Sequence, residues 1–275
     1  YITNHGVDQI LIDGALRETS RFFDQPEIWK KRWRKRSHSN GYEPPETQRL
    51  DNESPGDIKE SFNFTMGNIP GTPGYKENIW PDNFPGFRDQ LESYKKAVWK
   101  VGLQISRLIS LSLGMPFDYF DLTFSQQKSP LRILRYPPHP EITQYNQLGC
   151  GAHTDWGWIT LLLQDNAGGL EVETASGEWV RVEPIPGTFV VNLGDIMLRW
   201  TNSKYHSSLH RVMNNNSGRN RHSIVLFFNQ AHNTHVECLP SCLPAGEKPI
   251  FPPCTAGEHS TQRYKESRSN LEMTN

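Results

Sequence analysis

The sequence predicts a mixed α+β protein, with helices first and an antiparallel β barrel or jelly roll after them. Three observations carry this. Apolar residues recur at helical spacing in two N-terminal segments. From residue 131 onward short runs rich in β-branched and aromatic residues replace that pattern. Turn residues separate those runs at close intervals, among them Ala167-Gly168-Gly169, Ser176-Gly177, Pro186-Gly187 and Asn214 with Gly218. At 275 residues the chain can bury a sizeable core.

In chain order, Tyr1, Ile2 and Thr3 read as strand, so the chain begins inside an element and further sequence upstream is expected. Residues 8–23 form the first helix, with Ile10, Leu11, Ala15, Leu16, Thr19 and Phe22 near one face. A basic run, Lys30 to Arg36, reads as a solvated helix end or loop rather than a polyanion site, because the rest of the chain is balanced. Residues 41–86 are rich in Pro, Gly and Asn and read as loop, with a short strand at 60–64. Residues 87–113 are the longest helix, carrying Leu91, Tyr94, Val98, Val101, Ile105 and Leu108, and stopped by Gly114 and Pro116. Strands are expected at 131–136, 158–163, 170–173, 179–182, 188–192, 206–212 and 223–229. This divides the chain into an N-terminal helical region with loops (1–130), a β core (131–256) and a polar C-terminal tail (257–275), forming one catalytic unit.

Composition excludes several classes. Lys plus Arg is 29 and Asp plus Glu is 30, a formal charge of −1, which gives no electrostatic case for nucleic acid or an anionic membrane. Apolar runs such as 158–163 are too short to span a bilayer. The four cysteines, Cys150, Cys238, Cys242 and Cys254, make no disulfide framework, and Cys238 and Cys242 lack the second pair a zinc site needs. Free thiols point to a reducing compartment, and the cytoplasm is the expectation. GxSxG elbows, Walker loops, GxGxxG fingerprints and HExxH helices are absent from the sequence.

One constellation carries chemistry. His153 and Asp155 are two residues apart and share one side of an extended segment. His210 lies in another predicted strand. Two histidines and one carboxylate leave three octahedral positions open, the arrangement of non-haem Fe(II) oxygenases. Eleven residues beyond His210, Arg221 and Ser223 share a strand face with Val225 and Phe227. A guanidinium on the inner face of a barrel needs an anionic partner, and a hydroxyl two residues away suits a carboxylate. Tyr136 shares a face with Arg132 and Leu134 and can offer a phenol to the same group. His232 and His235 have metal-pair spacing but lie past the last core strand; like the other histidines they read as surface or structural.

These residues resemble the signature of Fe(II)/2-oxoglutarate-dependent dioxygenases of the isopenicillin N synthase-like family. The resemblance spans nearly the whole chain. It includes residues 1–7 (YITNHGV), Arg135-Tyr136-Pro137-Pro138, Asn192-Leu193-Gly194-Asp195 and Ser208-Leu209-His210-Arg211-Val212. It implies a double-stranded β-helix (jelly-roll) core with helices packed on it. His153, Asp155 and His210 would bind Fe(II), Arg221 and Ser223 the distal carboxylate of 2-oxoglutarate, and Tyr136 would assist. The family often has Asn where this chain has Leu134 and a second Tyr where it has Arg135; Arg132 is the candidate substitute for the missing contact.

The reaction so implied consumes 2-oxoglutarate and O2, releases succinate and CO2, and hydroxylates, desaturates or cyclises a small organic molecule, with specialised metabolism as the expected setting. Phe227 and either Trp156 or Trp158 are candidates to line a pocket for a flat or apolar substrate, core packing being the alternative. The residues leave three other readings open: an iron oxidase of the same family that uses no 2-oxoglutarate, a non-catalytic ligand-binding relative, and a zinc hydrolase. Oligomeric state is not legible.

Overall fold

Helix α1 (Gln9–Phe23) starts where the sequence supplies a cap, the Asp8 carboxylate accepting from the Ile10 amide at 2.8 Å. Its buried stripe of Ile12, Ala15, Thr19, Phe22 and Phe23 faces the second long helix. In this computed structural model the described residues are 1–37, 39–49, 55–67, 70–72, 74–124, 129–139 and 147–266. After α1 come the short helix α2 (Glu27–Lys30), the long helix α3 (Phe87–Ser112), α4 (Asp195–Trp200) and α5 (Ala256–Glu266). The strands are β1 (Ser39–Asn40), β2 (Tyr42–Glu43), β3 (Glu60–Thr65), β4 (Glu77–Asn78), β5 (Pro130–Tyr136), β6 (Cys150–His153) and β7 (Ile159–Gln164). They continue with β8 (Leu170–Glu173), β9 (Trp179–Arg181), β10 (Val190–Leu193), β11 (His210–Val212), β12 (Arg221–Phe228), β13 (His235–Val236) and β14 (Cys254–Thr255).

Two antiparallel sheets form the jelly roll. The larger runs β10-β7-β12-β5-β3-β2 and the smaller β6-β11-β8-β9. Two strands of the larger sheet, β2 and β3, come from the segment read as mostly loop. They complete the sheet that the later strands begin, so no layer boundary falls at residue 130. Of the expected strand at 206–212 only His210–Val212 is regular strand; residues 206–209 are irregular, although the Leu209 carbonyl already accepts from the Glu173 amide.

Strand alternation divides the interior in two. On β12 the even residues Ile224, Leu226 and Phe228 join Leu131 and Ile133 of β5, Phe62 and Phe64 of β3, and the apolar faces of α1 and α3. Gly102 of α3 lets the helix approach; a Cβ there would lie 2.6 Å from the Phe228 ring. Between the sheets a second, smaller cluster holds Leu134, Tyr136, Cys150, Leu170 and Val212, with Leu162, Val190 and Val225 against it.

The basic run is the helix end expected, with Lys31, Arg32, Arg34 and Arg36 exposed, but two of its lysines depart from the solvated reading. Lys30 is buried and donates to both carboxylate oxygens of Glu60 and to the Phe23 carbonyl, while Lys35 pairs with buried Glu43. A buried ammonium persists only where carboxylate and carbonyl oxygens replace its water. No helix among the described residues is long and apolar enough to cross a membrane.

Candidate active site

The inner face of the roll presents the chemistry. β6 and β11 are adjacent, and their register places His153 directly opposite His210. The ring centroids are 4.3 Å apart, and His210 Nε2 lies 3.8 Å from Asp155 Oδ2. One ligand atom from each of His153, Asp155 and His210 falls within 4.8 Å of the other two; no other such group of three occurs among the described residues. His232 and His235 belong to no such group, and all four cysteines are free.

Neighbouring groups select each ligand's lone pair. His153 Nδ1 lies 2.8 Å from the Gly151 carbonyl, and His210 Nδ1 3.0 Å from that of Ser208. A carbonyl only accepts, so each Nδ1 carries the proton and each Nε2 is left to a metal. Asp155, buried, accepts from Asn192 Nδ2 at 2.8 Å through one oxygen. Gly194 permits this packing: a Cβ there would sit 2.3 Å from the Gly157 carbonyl oxygen. Burial, then the neighbouring His153, holds His210 below its usual range, which favours a neutral ligand. For His153 burial acts downward, but Cys150 and Asp155 outweigh it and raise the group to about 9. Metal binding at neutral pH therefore displaces a proton from this ring.

Across the interior, Arg221 of β12 faces Tyr136 of β5 in register, its guanidinium 4.6 Å from the ring centroid. Arg221 is 2% exposed. Its Nε donates to the Gly168 carbonyl and its Nη2 to Gln164 Oε1, and Nη1 is buried with no hydrogen-bond partner. Among the described residues no carboxylate pairs with it. A buried guanidinium with an open donor fits the carboxylate of a bound keto acid. Ser223 is buried on the same face, opposite Leu134. Burial, then Cys150, holds the Tyr136 phenol above its usual range, so it stays a neutral donor.

Two residues absent from the sequence reading stand beside this pair. Lys59 is buried, pairs with Asp57 and donates to Cys150 Sγ at 3.1 Å. Asp57 also accepts from the Gly151 amide, at the base of the His153 strand. Asp57 and Lys59 share the two-residue spacing of a strand entrance, a weak signal in a segment read as loop.

Arg132 lies four residues from Tyr136, about 13 Å along the strand. It donates to Asn63 Oδ1 at 2.6 Å, lies 3.9 Å from the Glu43 carboxylate and stands 5.5 Å from the Phe227 ring centroid. That places it with Phe227 at the far end of the inner face. Trp156 is half-buried directly after Asp155. Trp158 does not line a pocket. It is fully buried on the helix side, donates to Ser106 Oγ of α3, and packs on Phe120 and Trp200 with centroids 4.7 and 4.8 Å away. The corrected reading is core packing, because the turn at Gly157 aims this ring toward α3.

Residues 127–230 match the 2OG-Fe(II) oxygenase superfamily, and residues 1–83 match the non-haem dioxygenase in morphine synthesis N-terminal family. A 2-oxoglutarate-Fe(II) type oxidoreductase of Emericella nidulans, hxnY, is 35% identical over 98% of this chain and 81% of its own length. The chain belongs to the 2OG-Fe(II) oxygenase superfamily. Homoarginine-6-hydroxylase 2-ODD-233 of Oryza sativa is 34% identical over 96% of this oxygenase and 83% of its own length. A full-length Neurospora crassa protein, solved in complex with alpha-KG, superposes with a TM-score of 0.86 at 28% identity, covering 95% of this chain and 84% of that one.

The oxygenase thus uses Fe(II), held by the His153, Asp155 and His210 triad, and 2-oxoglutarate as co-substrate. When bound there, the pair would let O2 act as a four-electron oxidant, two electrons coming from decarboxylation of 2-oxoglutarate to succinate and carbon dioxide and two from the substrate. The chain's own residues set the stage: two oriented imidazoles, a carboxylate fixed by Asn192, and an apolar cluster between the sheets that includes Leu134, Leu162 and Val225.

Proposed function

We propose that this oxygenase hydroxylates a small ring-bearing molecule with a polar edge, in specialised metabolism. Arg221, Ser223 and Tyr136 hold the distal carboxylate of 2-oxoglutarate in this reading, with Nη1 of Arg221 as the open donor. The observation that carries the substrate class is the far end of the inner face. There Arg132, Asn63 and Glu43 form one polar group beside the half-buried Phe227 ring. A flat substrate stacks on Phe227 and meets Trp156 on the metal side, while its polar edge meets Arg132 and Asn63. Arg132 belongs to the substrate in this reading, not to the co-substrate. Relatives support a small molecule: one is named for hydroxylating homoarginine, and the Neurospora crassa protein has been solved with thymine.

The test is a panel of small heterocycles and amino-acid derivatives, read by succinate release and product mass. Hydroxylation adds one oxygen atom; desaturation or ring closure removes two hydrogens. A product lacking the added oxygen would overturn the hydroxylation reading. Arg132→Leu should raise KM for the substrate about tenfold and leave KM for 2-oxoglutarate within twofold. The reverse pattern would return Arg132 to the co-substrate.

A further inference from the structure

The C-terminal helix α5 has little reason to dock by burial. Of its eleven residues only Ala256 and His259 are buried. What it does have is a polar contact with the loop that carries the metal ligands. Arg263 Nη2 donates to Thr154 Oγ1 at 3.0 Å, across 109 residues of sequence. Thr154 stands between the ligands His153 and Asp155. Alternation turns its side chain away from the metal and toward α5.

A second contact runs through α4. Arg263 Nε lies 3.1 Å from Asp195 Oδ2, and His259 Nε2 lies 3.8 Å from the same oxygen. Asp195 is itself tied to the ligand loop, its amide donating to the Asp155 carbonyl at 2.8 Å, and the next amide, Ile196, donates to the Gly157 carbonyl. Ser207 Oγ reaches the Asp155 carbonyl at 3.4 Å. Burial pushes the Asp195 carboxyl up, but contacts from His259, Ser207, Arg263 and Thr154 hold it below the usual carboxylate range. The base of α5 is pinned separately, Ala256 and Gly257 donating to the Thr234 and His232 carbonyls.

We propose that Arg263 is a positioning residue: it clamps α5 onto Thr154 and Asp195 and so fixes the loop that presents His153 and Asp155 to the metal. It touches neither metal nor substrate. Its action passes through Thr154, which lies between the ligands, and through Asp195, whose backbone amide donates to the Asp155 carbonyl. Groups bonded directly to a ligand typically set metal affinity by ten- to a hundredfold, and Arg263, one contact further out, is expected at the lower end of that range. This rests on the assignment of His153, Asp155 and His210 as the iron ligands.

The experiment measures Fe(II) dissociation constants anaerobically, without 2-oxoglutarate, on the full chain. Arg263→Ala should weaken Fe(II) binding about tenfold. Arg263→Lys, which keeps the charge near Asp195 but loses the fork, should recover part of that loss. Thr154→Val should reproduce the Arg263→Ala effect from the other side, and the double variant should be no weaker than either single one. Fe(II) affinity within twofold of the unsubstituted protein in both single variants would overturn the proposal, even where the melting temperature falls. Should Arg263→Ala fail to fold, Thr154→Val alone decides in the same way. His210→Ala separates this from failure of the site: retained Fe(II) binding there would overturn the ligand assignment itself.

Discussion

Arg221 shows how much one residue's surroundings can declare. It is a buried cation whose protein partners are a carbonyl and an amide oxygen, and one of its donors has none. A charge-assisted bond to a bound carboxylate contributes about 1.5–3 kcal/mol. Arg221→Met should therefore weaken 2-oxoglutarate binding roughly ten- to a hundredfold while Fe(II) affinity holds, read by anaerobic titration. Arg221→Lys should recover little, since an ammonium cannot match the guanidinium fork. The opposite lesson comes from Lys95 of α3. It is 1% exposed, stands 5.5 Å from the Phe64 ring, and its Nζ has no hydrogen-bond partner. Burial depresses it from the ordinary 10.5 to about 7. Below pH 7 the folded protein must bury the ammonium, so the cost is fully present there. It shrinks as pH rises from 7 to 10.5 and vanishes above. Lys95→Met should raise stability by a few kcal/mol at about pH 6–7 and by progressively less toward about pH 10, measured by chemical denaturation. Nothing in the sequence marks Lys95, because its position on a helix face is visible and its missing partner is not.

At the scale of elements, legibility tracked periodicity. Helices α1 and α3 begin and end within a residue or two of expectation, because caps and stops are local chemistry. The faces of β5 and β12 are also legible: Arg132, Leu134 and Tyr136 do share one side, as do Arg221, Ser223, Val225 and Phe227, since alternation leaves no other choice. Strand β3 is only partly legible, and the Asp57–Lys59 entrance to it leaves only a weak spacing signal, because its partner β5 lies some seventy residues away. Trp158 carries the same limit. Pattern places it near the ligand loop, but only the packing of α3 shows which side it takes. The contact of α3 with β12 is itself testable. Gly102→Val drives a branched side chain into the Phe228 ring and should destabilise the fold by about 1–3 kcal/mol. Fe(II) affinity should survive, because the contact lies on the outer face of the sheet. Unchanged thermal stability would show that the helix can back away freely.

For the molecule as a whole, the jelly roll works as a divider. One side of its larger sheet is an aromatic core under α1 and α3, and the other faces the smaller sheet, with the buried Arg221 beside a second, smaller apolar cluster. Metal ligands come from β6, β11 and the loop after β6, and the proposed keto-acid donors from β12 and β5. The site exists only once both sheets close. Folding and ligand binding are therefore linked. At about a hundred times its dissociation constant a ligand adds roughly 2.7 kcal/mol. Anaerobic Fe(II) with 2-oxoglutarate should then raise the melting temperature by about 5–10 °C, and Fe(II) alone by less.

At the centre stands an iron held by His153, Asp155 and His210, with Arg221 as the proposed anchor of 2-oxoglutarate. The visible spectrum of the anaerobic protein with Fe(II) and 2-oxoglutarate tests it most directly. A weak metal-to-ligand charge-transfer band, abolished by His210→Ala and requiring more 2-oxoglutarate in Arg221→Met, is the predicted result. Bound iron without such a band, or a band that persists in His210→Ala, would contradict it.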